Sequence, residues 1–524
     1  MRLPQRRYGS AFVRSERDAG TQATARVLLS HTKSTHLAPI VMKHLHSSLE
    51  PLEPRIAPAG LIAYTEPDGD VVTVKTSLGD SAGLLSLCTF TTPVNGKKIL
   101  QKLDLNTFDT TTYDGSDISI TVTKRGDFGD GLVAVGAIDA VGIDLGKVTL
   151  KGDLGQIDAG DFVRIGPAVK SLVVDSMGAF GTTTQMAGGN LQSVFDGSLG
   201  SITVKKSLTD VSLSVTNAGS VFGPAKIGGS ATRSGFFSSG NITSVTIGRD
   251  LVGDGATIRS TSGNIGSIKI GGNMIGGTLQ FAGCINADNG NIGPVFIRGD
   301  LEGGTTATTD GNSGTIAAAG SIASVTIMGS FRGTAADFDT VTGIFAGQSI
   351  GAVKIGGSYT GDDGNPISIQ AFASSTPGSN IAIKSVTIGG DVEYADIAAG
   401  YGIALDFRQA MTGNADAQIG PVKIGGDWNR SLIVAGVKFG NAVLGGGDDV
   451  AFSGGGSAIS RIAAITIKGA VNGFYNASLI TGFAAQEVGS LSVNGVKFKL
   501  GNLTAAKDSF VIGNSINARL MEIA

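Results

Sequence analysis

One nine-residue phrase, IGSIKIGGN at 265–273, recurs with small changes along more than half of the chain. Its clearer copies start at residues 242, 265, 292, 322, 350, 383, 419, 462 and 488, and looser copies start near 146, 169, 199 and 222. The interval between clear copies varies from 23 residues (242 to 265) to 43 residues (419 to 462). A short unit that returns at about these intervals is typical of stacked repeat architectures, so the repeat constrains the fold before any single motif does.

Each copy predicts a short β-strand followed by a corner. Val245 and Ile247 are two residues apart and therefore face one side of a strand, while Thr246 faces the other side. The Gly-Gly-Asp, Gly-Gly-Asn or Gly-Gly-Ser that follows favours a turn, because glycine adopts positive φ without steric cost. The shortest interval leaves room for two further strands, which we place at 277–281 and 284–286.

These features predict an all-β chain folded as a right-handed parallel β-helix, or β-solenoid, with about three strands per coil. At ~4.8 Å per coil the rod would be on the order of 60 Å long. The dominance of Ile, Val and Gly excludes leucine-rich and helical repeats, and the drifting interval excludes the equal blades of a propeller. Polar residues just before the first Ile of the repeat are expected to stack as a ladder at one corner: Asn241, Asn264, Asn291, Ser321 and Ser349, with Asn380 slightly upstream.

The repeat also sets the domain boundaries. Residues 1–60 are predicted to be a disordered leader, and Met42 is a more natural start than Met1 because residues 1–41 lack the apolar core of a secretory signal. Residues 61–128 are predicted to form a small β cap that shields the first coil. The solenoid is placed at 129–497 and a C-terminal cap at 498–524.

The net charge, the hydropathy and the cysteine content of the chain limit the classes of function that it can have. The net charge is −3, which gives no general attraction to nucleic acid or to an anionic membrane. No stretch of about eighteen apolar residues is present, so no transmembrane segment is expected. The two cysteines, Cys88 and Cys284, are far apart and are expected to be free or buried thiols.

At the end of the predicted leader, the segment LEPRIAPAG at 52–60 is rich in proline and is expected to be extended and accessible. It resembles the LEPR motif at the N-terminus of large, repeat-rich surface proteins of planctomycetes and verrucomicrobia. The matching residues are Leu52, Glu53, Pro54 and Arg55. The resemblance implies a sorting or export label on a bacterial surface or secreted protein, and it implies no activity.

The predicted rod contains few side chains suited to catalysis or metal binding. All four histidines lie in the first 46 residues, which removes histidine-dependent catalysis and histidine-bound zinc from the solenoid. Asp residues recur at one turn position of successive copies (Asp250, Asp300, Asp391 and Asp427), and recurrence favours a structural role over a catalytic one. No cofactor or metal is expected; calcium has only a weak signal at the oxygen-rich turns Asp68/Asp70, Asp362-Asp363 and Asp448-Asp449.

The coils with the longest intervals, around 394–430, contain the mixture of aromatic, acidic and guanidinium side chains that sugar-binding surfaces use. The two interpretations of this segment are a packed loop and a glycan-contact surface. The residues of that surface would be Tyr394, Asp396, Tyr401, Asp406, Arg408, Trp428 and Arg430. A glycosidase pair such as Asp396 with Asp406 is a further alternative, although sequence does not fix the separation of the two carboxyl groups.

Together these observations predict an exported, glycine-rich β-solenoid without catalytic activity. We expect it at the cell surface or outside a bacterium, as an adhesin-like or envelope structural rod that contacts glycan or another surface protein through its loops. The alternative is a carbohydrate-active enzyme, a polysaccharide lyase or glycoside hydrolase, with a groove over the same loops.

Overall fold

The computed structural model describes residues 59–106, 111–162, 166–304, 313–333, 342–363, 366–373, 380–402, 410, 413–440, 444, 448–453, 458–474, 480–501 and 508–523. The chain divides into two compact units, 1–55 and 56–524, and every described residue belongs to the second. Leu52, Glu53, Pro54 and Arg55, and with them the predicted leader as far as residue 58, lie outside the described residues.

The second unit is a parallel β-solenoid with three strands in each regular coil, as the repeat predicts. Each strand pairs in parallel with the equivalent strand of the next coil, and the result is three sheets along one stack. For example, Ile242–Ile247 pairs with Ile265–Ile270, and the next two strands of each coil pair in the same way.

Sheet A contains the strands of the repeat phrase. Its strands are Ser198–Leu199, Ile202–Val204, Ala225–Ile227, Ile242–Ile247, Ile265–Ile270, Ile292–Ile297, Ile322–Ile327, Ile350–Ile355, Ile381–Ile388, Gln418–Ile424, Arg461–Ile467, Glu487–Val488 and Leu491–Val493. Sheet B follows the glycine corner and is only two residues wide. Its strands are Leu208–Thr209, Ala231–Thr232, Leu251–Val252, Met274–Ile275, Leu301–Glu302, Phe331–Arg332, Tyr359–Thr360, Val392–Glu393, Trp428–Asn429 and Val471–Asn472.

Sheet C closes each coil. Its strands are Gln192–Asp196, Ser212–Val215, Gly235–Ser238, Thr257–Ser260, Cys284–Ala287, Ile316–Ala318, Gly343–Ala346, Ile367–Ala371, Ala395–Ala399, Leu432–Ala435, Thr481–Ala485 and Ala518–Glu522. The first coils are built from three longer strands that continue around the corners, Val133–Val141, Leu145–Gly160 and Pro167–Met177.

The hydrophobic core is the bore of the stack. Val245, Ile247, Ile268 and Ile270 are at most 2% exposed, whereas Lys269 is exposed, as the two-residue alternation predicts. Register holds equivalent residues above one another, because Val245 pairs with Ile268 and Ile247 with Ile270. Each fully buried Ile or Val contributes about 1.5–3 kcal/mol relative to an exposed one, so this repeated pair is the main reason that the strands stack.

One predicted strand is wrong. Residues 277–281 form a turn, and the second strand of that coil is Met274–Ile275. The Asp254 side chain accepts hydrogen bonds from the backbone N–H of Thr278 and of Leu279, which holds this segment as a loop. The predicted strand at 284–286 is confirmed as Cys284–Ala287.

The N-terminal region is mainly β and joins the first coil edge to edge. Its strands are Leu61–Thr65, Val71–Thr76, Cys88–Phe90, Leu100–Asp104 and Ile118–Thr123, and it also contains a short helix, Ser81–Ser86, that the sequence pattern did not predict. The first two strands form an antiparallel hairpin, whereas Ile118–Thr123 pairs in parallel with Leu145–Gly160. The strands next to the first coils therefore continue the parallel pairing, and the antiparallel pairings lie beyond them.

The other end closes in a similar way. Val496–Phe498 reverses direction against Leu491–Val493, and Ser509–Val511 pairs antiparallel with Ala518–Glu522. The last of these strands still pairs in parallel with Thr481–Ala485, so the terminal segment is partly a cap and partly a continuation of sheet C. One hairpin, Val437–Lys438 with Val450–Ala451, lies apart from the three sheets.

Candidate functional site

Three residues of the predicted glycan-contact surface are buried, which corrects that interpretation. Asp396 and Tyr401 are each 1% exposed and Trp428 is 0% exposed, so none of them reaches a ligand at the surface. Asp406 and Arg408 lie outside the described residues, and with Asp406 so does the suggested carboxyl pair. Only Tyr394 and Arg430 are partly exposed.

Trp428 fills the bore because it occupies the first position of a sheet B strand. The same position is taken by Phe331, Tyr359 and Val392 in the three preceding coils. The indole ring lies 5.8 Å from the ring of Phe483, and its Nε1–H donates to the Ser431 carbonyl at 3.0 Å. An alignment of the repeats on their Gly-Gly-Asp corner would have revealed this, since an apolar residue follows the corner in each copy.

Tyr401 belongs to a second hydrophobic core on the outside of sheet C. Its ring packs against Phe452 at 5.4 Å, and its hydroxyl donates to the Val437 carbonyl. The members of this outer core are Ala398, Tyr401, Ala415, Leu432, Val434, Val437, Phe439, Leu444, Phe452, Ala484 and Ile523. The long insertions therefore cover sheet C here, which is the packed-loop alternative.

Tyr394 and Arg430 form a stacked pair at the corner between sheets B and C. They follow paired strands of consecutive coils and have left-handed φ values of 47° and 50°. The Arg430 guanidinium carbon lies 5.3 Å from the centre of the Tyr394 ring, and its Nη1 lies 2.7 Å from Oε1 of Glu393. Cation–π contact and ion pairing hold this pair within the stack.

The recurrent Asp residues are structural, as the repetition predicts. At the corner between sheets A and B, a side-chain oxygen accepts a hydrogen bond from the backbone N–H of the equivalent residue one coil later. The ladder runs through Ser207, Ser230, Asp250, Asn273, Asp300, Ser330, Ser358, Asp391 and Asp427 to Ala470, with donor–acceptor distances of 2.6–3.3 Å. Each link satisfies a backbone donor that the turn leaves unpaired.

A second ladder occupies the corner before sheet A, at the residues predicted to form one. The side-chain oxygen of Asn241 accepts from the Asn264 N–H at 2.8 Å, and Asn264 accepts from Asn291 at 2.8 Å. Asn291 accepts from Ser321 at 2.7 Å, and Ser321 from Ser349 at 3.3 Å. Asn380 contributes its backbone carbonyl, which accepts from the Gln418 N–H at 2.7 Å.

A cleft of about 800 Å³, which we call the junction cleft, lies where the N-terminal cap meets the first coils. The turn at 66–68, the sheet edge at 132–134 and the loop at 179–184 contribute to its walls, with Ser176 and Lys206 beside them. Its lining combines apolar side chains such as Leu132 and Phe180 with several carboxyl and hydroxyl groups. Concave, partly apolar sites with a few polar groups are the usual form of ligand pockets.

Several polar groups of the junction cleft are unusually well buried. Glu66 is 4% exposed, and burial raises its pKa to about 7, against a hydrogen bond from the Ala134 N–H that lowers it. Asp153 is also 4% exposed and accepts hydrogen bonds from Ser176 Oγ at 2.7 Å and the Ala179 N–H at 3.1 Å. Thr184 is 5% exposed, and its hydroxyl has no hydrogen-bond partner among the described residues. The sequence pattern gave no sign of this cleft, because its residues come from separate segments.

Asp68 and Asp70, the first of the weak calcium candidates, come together with Asp130 near the cleft, with carboxyl oxygens within 4.8 Å of one another. Both oxygens of Asp70 already accept 2.7 Å hydrogen bonds, from the N–H groups of Arg125 and Gly131. These bonds outweigh the opposing effect of burial and lower the pKa of Asp70. The trio holds two turns together, and both Asp70 oxygens are engaged by backbone N–H groups.

The remaining groups with reactive chemistry are two thiols. Cys88 is half-buried and Cys284 is buried, and neither forms a disulfide. Burial raises the pKa of Cys88 to about 11 and that of Cys284 to about 12. A thiol at such values stays protonated near neutral pH and is a poor nucleophile.

No protein-family model matches this chain, and no curated protein or solved structure matches it significantly. Among the described residues, no helix combines the length and the hydropathy needed to cross a bilayer. The fold and the arrangement of side chains therefore define the class of this protein, a parallel β-solenoid with polar corner ladders.

Proposed function

We propose that the chain is an exported, non-catalytic β-solenoid rod that acts at the bacterial cell surface as an adhesin-like or envelope structural protein. The observation that carries the proposal is the corner ladder from Ser207 to Ala470, in which each side chain bonds to the backbone of the next coil. The recurrent carboxylates serve the stack, and a rigid stack is what a surface rod needs to hold its loops away from the cell.

Burial of the predicted contact residues supports the same proposal. Lyases and hydrolases with a parallel β-helix need an exposed groove with carboxylates, and the described part of the 394–430 region offers a filled outer core in its place. The likeness of Leu52, Glu53, Pro54 and Arg55 to a surface-sorting motif supports display outside the cell.

Two experiments test the proposal. The purified chain is incubated with neutral and acidic polysaccharides while reducing ends and unsaturated ends are measured, and we expect neither to increase. Intact cells that express a tagged chain are then treated with protease, and we expect the tag to be removed. New chain ends would exclude the non-catalytic rod, and a fully protected tag in intact cells would exclude surface display.

One observation favours a second candidate, a glycoside hydrolase that works in the junction cleft. Glu66, with a pKa of about 7, is suited to donate a proton at neutral pH, and Asp153 provides another carboxyl group in the same lining. If the polysaccharide assay yields products, Glu66→Gln should abolish them, and the exposed Asp127→Asn should leave them unchanged.

A further inference from the structure

From Ala225–Ile227 to Arg461–Ile467, the outward face of sheet A carries charge of one sign. In the nine strands from Ala225–Ile227 to Arg461–Ile467 there is no Asp or Glu. The charged residues of these strands are Lys226, Lys269, Lys354, Lys384, Lys423 and Arg461, and all six are exposed. A chain with a net charge of −3 therefore presents a strip of uniform positive charge along one side.

Four of these lysines fall in one row along the rod. Pairing places Lys226, Thr246, Lys269 and Phe296 in consecutive coils at the same outward position. The row continues through Thr326, Lys354, Thr387 and Lys423. At ~4.8 Å per coil, the four lysine positions are spaced along the rod by roughly 10, 14 and 10 Å over a total of roughly 34 Å.

The lysines of this face are not neutralised by the protein. Lys226, Lys269, Lys354, Lys384 and Lys423 make no ion pair with a described residue, and only Arg461 at the far end is paired, with Glu487 at 3.4 Å. Some basic residues on the other faces are ion-paired, for example Arg233 with Asp210, Arg259 with Asp288 and Arg332 with Asp300.

The corner beside the row carries charges of both signs. Arg249, Arg298 and Lys468 are exposed just after the sheet A strands. The carboxylates of the same corner, such as Asp300 and Asp391, direct an oxygen to the backbone of the next coil. These carboxylates keep their negative charge, so the uniformly positive surface is the face of sheet A itself and not the corner.

We propose that the face of sheet A binds a linear acidic polysaccharide, with the polymer lying along the rod axis. The flat face of a parallel sheet suits an extended polymer better than a small ligand. Lysine presents a point charge without a fixed fork, which suits repeated carboxylate or sulfate groups at variable spacing. Many weak contacts along one polymer add up to a useful affinity through multivalency, and salt weakens them.

The arrangement favours a polysaccharide over a nucleic acid. Single-stranded nucleic acids are held by aromatic side chains interleaved with basic ones. The row described above contains one aromatic residue, Phe296, and threonine at three other positions. Small hydroxyl side chains between lysines can donate hydrogen bonds to sugar hydroxyl and carboxylate oxygens without stacking on a base.

This inference rests on the proposed function, because an acidic polysaccharide is a partner that a rod outside the cell would meet. The test uses the full chain immobilised on a biosensor and exposed to a polyuronate, a neutral glucan of similar length and duplex DNA. The variant is Lys269→Gln/Lys354→Gln/Lys423→Gln. The control is Lys75→Gln/Lys124→Gln/Lys438→Gln, which removes the same charge from other parts of the surface.

We expect the unmodified chain to bind the polyuronate and not the glucan, and to lose most of that binding between about 50 and about 300 mM salt. The sheet A variant should bind at least about tenfold more weakly, and the control should change less than about twofold. Equal losses in both variants, no polyuronate binding, or tighter binding to DNA would overturn the inference. A chain that is surface-displayed and inert toward polysaccharides, yet does not bind the polyuronate, would refute this inference alone and leave the proposed function intact.

Discussion

The side-chain oxygen of Asn273 accepts a hydrogen bond from the backbone N–H of Asp300, one coil further along the rod, at 2.9 Å. Asn273 in turn donates its own backbone N–H to Asp250 at 2.8 Å. One residue therefore links three coils at a corner where the backbone would otherwise lack a partner. A substitution of Asn273 therefore tests directly whether the ladder stabilises the protein.

Replacing Asn273 with Ala should destabilise the rod by about 1 kcal/mol, because the Asp300 N–H loses its acceptor. The matched control is Asn273→Asp, which keeps an acceptor oxygen at the same place, as Asp250 and Asp300 already do in neighbouring coils. Urea denaturation followed by circular dichroism measures the difference. An Ala variant as stable as the Asp variant would show that the ladder does not contribute to stability.

Replacing Trp428 with Ala should destabilise the protein by about 3–5 kcal/mol, because a fully buried indole leaves a cavity in the bore. Trp428→Phe should recover most of this loss, since Phe331 occupies the same sheet B position three coils earlier. Thermal denaturation of the three proteins provides the comparison. If the Ala variant kept its stability and lost only glycan binding, Trp428 would belong to a surface site after all.

Glu66 should make stability depend on pH. Its pKa is about 7 in the folded protein against an ordinary value of 4.5, so the folded state binds the proton more tightly. The stabilisation from protonated Glu66 is complete below pH 4.5 and is lost as the pH rises through 7. Glu66→Gln should therefore be more stable than the unmodified chain at about pH 8, by on the order of 1–2 kcal/mol after solvent screening, and similar at about pH 4.5.

Urea midpoints at several pH values measure this effect. Asp127→Asn is the control, because it removes an exposed carboxyl from a neighbouring turn. A pH dependence that is unchanged by Glu66→Gln would place the responsible group elsewhere.

Cys284 should resist alkylation in the native protein, because its thiol is buried and has a pKa of about 12. Cys88, which is half-buried with a pKa of about 11, serves as the internal comparison and should react faster. Mass spectrometry after treatment with iodoacetamide at about pH 8, with and without urea, gives both rates. Rapid labelling of Cys284 without urea would contradict the packing of sheet C.

The repeat allowed most of the solenoid to be predicted. The alternation of apolar and polar residues in SVTI and SIKI predicted that Val245 and Ile268 point into the bore. The asparagines that precede the strands predicted one of the two corner ladders. These features are local and repeated, so any one copy supports the others. The turn at 277–281 was missed because the Asp254 side chain, more than twenty residues away, holds it as a loop.

The functional residues were harder to predict from the sequence than the fold was. Trp428 and Tyr401 resemble ligand-binding aromatics in sequence, yet one fills the bore and the other an outer core. The junction cleft depends on segments near residues 66, 132, 153 and 180, which only the three-dimensional fold brings together. The charge of sheet A is visible in the sequence only after the register between coils is known.

The reversed strands at the two ends, Val71–Thr76 and Val496–Phe498, have a consequence for how the molecule can lengthen. Each runs opposite to the strand it pairs with, Ile118–Thr123 or Leu491–Val493, so parallel pairing does not continue across it. A further coil laid on either strand would have to change direction, whereas a coil duplicated in the middle of the stack would keep the parallel register of its neighbours.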